Sequence, residues 1–223
     1  YYAAFFSAHS IMRCFGYSCS QLERGHVTQL NSFGQAIGLS SLIKPEAGYF
    51  SGTYDQSSRI LKLKKMNNTH EDTWRTLLDC LNEVSQNILN VTGLSSRKQQ
   101  VSARVSDLID IITDNGRLTN GSYLSQFRNS VNYRQEHDSW YPYGKSSIKA
   151  EKIVAMMTKW DAQENLSFHV WKESRETYNF FAACRDIVNL NFVLIQILSS
   201  ESTNARNLYK RWPEKLIRLC SSA

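Results

Sequence analysis

Along the middle of the chain, apolar residues recur at intervals of three and four. Trp74, Leu77, Leu78, Leu81, Val84, Ile88 and Leu89 form one such stripe, which predicts a helix over 71–92. Thr69 and Asp72 read as a capping box at its start, and Gly93 ends it. The next helix opens at Ser95 or Ser96, carries Val101, Val105, Leu108, Ile109 and Ile112, and stops at "DNG", residues 114–116. Another opens at "NGS", 120–122, with Tyr123, Leu124, Phe127, Val131 and Tyr133. "IKAEKIVAMMTKW" and the stretch from about 172 to 199 predict two more. The second half of the latter is apolar nearly all round, which places it in a core. Residues 203–220 read as a last helix or pair, interrupted at Pro213.

The first helix is expected over residues 1–15. Tyr2, Phe5, His9 and Met12 fall on one face, and Tyr1, Ala4, Ala8, Ile11 and Phe15 on another, so it reads as a central helix that Gly16 terminates. A weaker helix is expected around 27–37. Between these and the helix at 71 the period changes. In "RILKLKK", Leu61 and Leu63 alternate with Lys62 and Lys64, which predicts a β-hairpin or extended arm inserted at 48–66. The expectation is a single all-α domain over 1–223: a bundle of six or seven helices with that insertion and C-terminal helices at 172–220.

Composition narrows the class. With 223 residues, 42% of them hydrophobic and 12% aromatic, a packed core is affordable and global disorder is excluded. Only 3 Pro and 10 Gly suit long helices. The chain opens on Tyr, so the numbering is expected to start inside a longer or processed chain. The five cysteines, Cys14, Cys19, Cys80, Cys184 and Cys220, form no CxxC pair. That argues against a zinc site and for a reducing, cytoplasmic setting. The longest apolar run, "IVNLNFVLIQIL", is shorter than the roughly 20 residues a bilayer needs, so no membrane association is expected. No Gly-rich phosphate loop, HExxH or Ser-His-Asp order stands out, and neither a metal nor a cofactor is called for. Asp107, Asp110 and Asp114 share a helix at a spacing common on solvated faces. A net charge of +6 suits either simple solubility or a polyanion partner.

Candidate chemistry concentrates in "RNSVNYRQEH", residues 128–137. Metal-free RNA cleavage needs a base for the 2′-OH, an acid for the leaving 5′-oxygen and a cation for the phosphate charge. A guanidinium suits the last role because its planar fork holds two oxygens. An imidazole suits the proton steps. Arg128 is therefore the candidate clamp, His137 the candidate proton carrier and Tyr133 a candidate phosphate or base contact. Asn129, Asn132 and Arg134 are candidate RNA contacts. The same residues also read as the solvated face of a helix that buries Phe127 and Val131.

The Tyr- and Ala-rich opening "YYAAFFSAHSIMRCFG" and the Arg-Asn of 128–129 on a late helix resemble the HEPN family. The resemblance covers two short blocks. It implies an α-helical bundle that dimerises and cuts RNA without metal across a cleft, as a toxin or antiphage effector. Other members act only as binding modules, which leaves a helical interaction module with a partner protein as the second reading. The family spaces Arg and His by four to six residues. Here Asn132, Tyr133 and Arg134 occupy those positions, and His137 lies nine after Arg128, about 2.5 turns on and on the opposite side of a helix.

His9, on the apolar first helix, reads either as a hydrogen-bonded core residue or as a group reaching Arg128 or Tyr133. Lys210 and Arg211, beside Trp212, are candidate RNA contacts or a solvated face over Leu208, Leu216 and Leu219. The aromatic loop "SWYPY", 139–143, reads as a cleft wall or a dimer contact.

Overall fold

The computed structural model describes residues 1–41, 44–90, 95–114, 116–134, 136, 149–158 and 176–201. Among them are seven helices: α1 (Tyr2–Cys14), α2 (Arg24–Ala36), α3 (Thr69–Asn90), α4 (Ser95–Ile112), α5 (Tyr123–Arg134), α6 (Ala150–Met157) and α7 (Glu176–Glu201). Three strands accompany them: β1 (Tyr17–Leu22), β2 (Gly48–Asp55) and β3 (Ile60–Lys65). The helix count matches expectation, but the all-α class does not. The hairpin expected at 48–66 is present as β2 and β3, and β1 joins it in an antiparallel sheet of order β1-β2-β3. The fold is mixed α and β because "YSCSQL" pairs along its whole length with β2, from Tyr17↔Thr53 to Leu22↔Gly48. The expected helix or pair at 203–220 lies outside the described residues.

Residues 12–126 form one compact unit. Its core is the inner face of α3: Thr73, Trp74, Thr76, Leu77, Leu78, Cys80 and Leu81 are buried. α3 packs on β1, whose Tyr17 and Cys19 are buried, and on α4, which contributes Val105, Leu108 and Ile112. The Tyr17 hydroxyl donates to a carboxylate oxygen of Glu83 on α3. Burial first, and then that carboxylate, push the phenol well above its ordinary pKa. The cap of α3 is Asn68, one residue before the expected Thr69. Its Oδ1 accepts the His70 and Glu71 amides at 3.1 and 3.3 Å, while Asp72 Oδ2 reaches back to the Asn67 and Asn68 amides at 2.7 and 3.0 Å.

Residues 1–11 and those from 127 onward form the second unit. α6 and α7 meet through Met156, Tyr178 and Ala182, with Ile153 at the margin. The Tyr178 hydroxyl accepts the Lys149 amide at 3.1 Å, and Lys152 Nζ lies 4.4 Å from the Tyr178 ring centre. The start of α1 buries Ala4, Ser7, Ala8 and Ile11 but leaves Tyr2 and Phe6 exposed. The expectation that both apolar faces of this helix are covered is therefore corrected in part: Tyr2 and Phe6 project outward and Tyr1 and Phe5 are half-buried, while Ala4, Ser7, Ala8, Ile11 and Met12 face in. α7, Glu176–Glu201, corresponds to the helix expected at about 172–199. Within Glu176–Ser200 an 18-residue stretch is apolar enough that, by length and composition, this one helix among the described residues matches a membrane span. Arg185 and Asp186, hydrogen-bonded to each other at 2.6 and 2.8 Å, lie near its middle.

Candidate functional site

α5 presents Arg128 because of what lies on either side of it. The turn before the helix is set by Asn120, whose Oδ1 accepts the Ser122 amide and hydroxyl at 3.2 and 2.6 Å. Further along, Phe127 is buried and stacks on Phe180 of α7, with ring centres 4.3 Å apart and planes within 20°. A buried residue at 127 leaves Arg128 at the edge of that contact, half-buried, with its head group beside the start of α1.

There the guanidinium meets three tyrosines. Nη2 donates to the Tyr2 hydroxyl and Nη1 to Asn129 Oδ1, both at 2.9 Å. Its central carbon lies 5.9, 5.8 and 5.5 Å from the ring centres of Tyr1, Tyr2 and Tyr133. These are cation–π distances. Nε is buried and, among the described residues, has no hydrogen-bond partner. Partial burial opposes the charge, but the phenolic oxygens of Tyr2 and Tyr133 outweigh it and raise the pKa of the group. Arg128 is thus a fixed cation.

Beside it is a cavity of about 210 Å3. Tyr1, Phe127, Val131, Phe180 and Phe181 supply apolar walls, and Tyr2, Arg128, Asn132 and Thr177 supply the polar groups. The positions 128, 131 and 132 share one helical face, which is why α5 contributes a continuous wall. The volume is below the range for drug-sized ligands and suits a single planar ring.

Of the residues singled out from sequence, Arg128, Asn129, Asn132 and Tyr133 come together here. Tyr133 is 73% exposed, so one face of its ring is open to stacking. Arg134 is exposed and does not line the cavity. His9 packs edge-on against Phe5, 4.8 Å between centres, and is not among the cavity walls. His137, Lys210, Arg211 and the aromatic loop at 139–143 lie outside the described residues. Sequence reasoning missed Tyr1 and Tyr2 as partners of Arg128, and it missed Thr177, Phe180 and Phe181 altogether. Their only trace is the aromatic cluster "YNFF" at the start of the last described helix.

Chemically, the described site can hold an anion and a flat ring side by side. None of the described residues lining it is a carboxylate, imidazole or thiol, so these walls supply binding groups and no proton carrier for neutral pH. Comparison with protein-family models, curated proteins and solved structures yields no match.

Proposed function

We propose that this chain is a HEPN-like, RNA-binding protein of the cytoplasm that holds single-stranded RNA at the Arg128 pocket. The guanidinium takes a phosphate, the aromatic cavity takes an adjacent base, and Tyr133 stacks a second. The observation that carries this reading is Arg128 Nε, buried and unpartnered beside a cavity walled by aromatic rings. An orphaned buried N–H on a permanent cation is a strong pull on an anionic acceptor. Base stacking on aromatic side chains supplies the complementary part of single-strand recognition. The Arg185–Asp186 pair within α7 supports its reading as a soluble helix, since ion pairs are rare in lipid-facing segments.

Metal-independent endoribonuclease activity, in a toxin or antiphage setting and across a homodimer, belongs to the same reading, with His137 as its proton carrier. Titration of a short fluorescein-labelled single-stranded RNA into the intact chain tests binding. Arg128→Ala should weaken it about tenfold or more, and Arg128→Lys should not restore it, because lysine lacks the planar fork. Equal affinity for RNA in Arg128→Ala would sink the proposal. A gel of the same RNA, run with and without chelator, tests cleavage, which His137→Ala should then abolish.

The apolar majority of the cavity wall also favours a second reading, a non-catalytic module that seats an aromatic side chain of a partner protein. RNA that neither binds nor is cut, with Arg128 still required for assembly with a defined partner, selects it.

A further inference from the structure

β3 lies at the margin of the three-stranded sheet, and all six of its residues are exposed. Its ladder determines which backbone groups remain free. The Met66 amide donates to the Tyr49 carbonyl at 2.8 Å, and antiparallel bonding alternates from pair to pair. Given the register Ser51↔Lys64, Thr53↔Lys62 and Asp55↔Ile60, residues 60, 62 and 64 bond to β2. The other side of β2 agrees: the Tyr54 amide donates to the Gly16 carbonyl at 2.8 Å, so even-numbered residues of β2 serve β1 and odd-numbered ones serve β3. Leu61, Leu63 and Lys65 therefore turn their N–H and C=O groups to the open edge.

The side chains of these three residues share the sheet face of Phe50 and Tyr54, opposite the buried Tyr17 and Cys19. Tyr54, Leu61 and Leu63 are 46%, 56% and 47% exposed. Between them sits Gly52, where a Cβ would lie 3.2 Å from Leu63 Cδ2 and 3.4 Å from Leu61 Cδ1, so both leucines lie across the glycine. The result is a shallow apolar surface running along a strand edge that is unpaired among the described residues.

Charge selects the occupant. Lys62, Lys64 and Lys65 in the strand, with Arg59 just before it, make this edge basic, and Glu46, 2.9 Å from Lys65, and Asp79, which interacts with Lys64, offset part of that. A second copy is disfavoured, because two-fold pairing centred on Leu63 sets Lys62 beside the other strand's Lys64. RNA lacks the alternating donor–acceptor row that matches a strand edge.

We propose that the β3 edge docks an acidic, extended segment of a partner protein by strand addition. The incoming backbone pairs with Leu61, Leu63 and Lys65. Its apolar residues fall on the Tyr54–Leu61–Leu63 face, and the intervening Asp or Glu side chains meet Lys62 and Lys64. A labelled peptide of alternating valine and glutamate, titrated into the full chain and followed by anisotropy, tests this. Beside it run the same peptide with lysine for glutamate, a proline-interrupted version and an oligouridine. Saturable binding of the acidic peptide alone is expected. The double variant Lys62→Glu/Lys64→Glu should weaken it about tenfold or more and gain the lysine peptide. Leu63→Pro removes an outward N–H and leaves the ladder to β2 intact, so it should abolish docking. Where circular dichroism shows that proline disturbs the fold, the charge-reversal pair decides. No binding of the acidic peptide, equal binding of the lysine peptide, displacement by oligouridine, or a β3-dependent dimer in sedimentation each overturns the proposal. Arg128→Ala should leave peptide binding unchanged, which separates this site from the pocket.

Discussion

The hydroxyl of Tyr2 accepts a hydrogen bond from Nη2 of Arg128 at 2.9 Å, joining residues 126 apart in sequence. That bond orients the guanidinium at the cavity. Tyr2→Phe keeps the ring and its cation–π contact while removing the acceptor. A charge-assisted bond in an exposed position is worth about 1 kcal/mol. The variant should therefore lose roughly fivefold in RNA affinity while its melting temperature stays close to that of the parent chain, as read by anisotropy and thermal denaturation. A parent-like affinity would remove Tyr2 from the site.

Tyr133 tests stacking separately from hydrogen bonding. Its ring centre lies 5.5 Å from the guanidinium carbon, yet the residue is 73% exposed. Removing an exposed side chain costs little fold stability. Tyr133→Ala should weaken single-stranded RNA by about 1–3 kcal/mol, the range for one lost aromatic–base stack, whereas Tyr133→Phe should retain most of the affinity. The pair of variants, compared on one labelled RNA at fixed salt, checks this.

The site was legible where it lies on one helix and illegible where it spans the fold. Arg128, Asn129, Asn132 and Tyr133 are neighbours within α5, and helical periodicity alone places them near one another. Tyr2 and Phe180 reach the same point only through packing of α1 and α7 against α5, which no local pattern encodes. The secondary structure shows the same division. α3 and α4 follow from their apolar spacing, and β3 from the alternation in "RILKLKK". β1 went unseen because in "YSCSQL" only Tyr17 and Cys19 are buried, and neither stands out as a strand former without β2 beside it. α1 misled because its aromatics suggested burial, while the packing surface is made by Ala4, Ser7, Ala8 and Ile11.

Two glycines near α5 differ in a way that separates backbone conformation from packing. Gly116 and Gly121 both have positive φ, +81° and +66°. A Cβ at Gly116 meets nothing within 4 Å, whereas at Gly121 it lies 3.2 Å from the Trp74 carbonyl oxygen and 3.3 Å from Leu78 Cβ. Gly116→Ala should cost only the left-handed conformation, about 1 kcal/mol. Gly121→Ala adds a displaced backbone and should cost about 2–3 kcal/mol. Urea unfolding of both variants measures the difference, and equal losses would mean that the Trp74 contact yields freely.

Alkaline pH should expose the buried thiol of Cys80. This residue is fully buried on α3, and burial, followed by the nearby Glu83 carboxylate, pushes its thiol from an ordinary 9.0 up to about 12. The folded chain therefore keeps a proton that the unfolded chain gives up. The sign follows from that: this stabilising contribution is intact below about pH 9 and is lost as pH rises toward about 12, at roughly 1.4 kcal/mol per unit. Tyr17 and Cys19 are raised in the same sense, so the measured slope of the parent chain should be steeper than one group accounts for. Cys80→Ala loses packing at neutral pH, but it also removes one titrating group. Its deficit relative to the parent, taken from urea midpoints, should shrink steadily between pH 9 and 11. Alkylation by iodoacetamide provides the independent check: at pH 8 the native thiol should react about a thousandfold more slowly than in urea, in proportion to its thiolate fraction. A constant deficit across that pH range, together with rapid native alkylation, would show that Cys80 is not held in the buried, protonated state that its place in α3 requires.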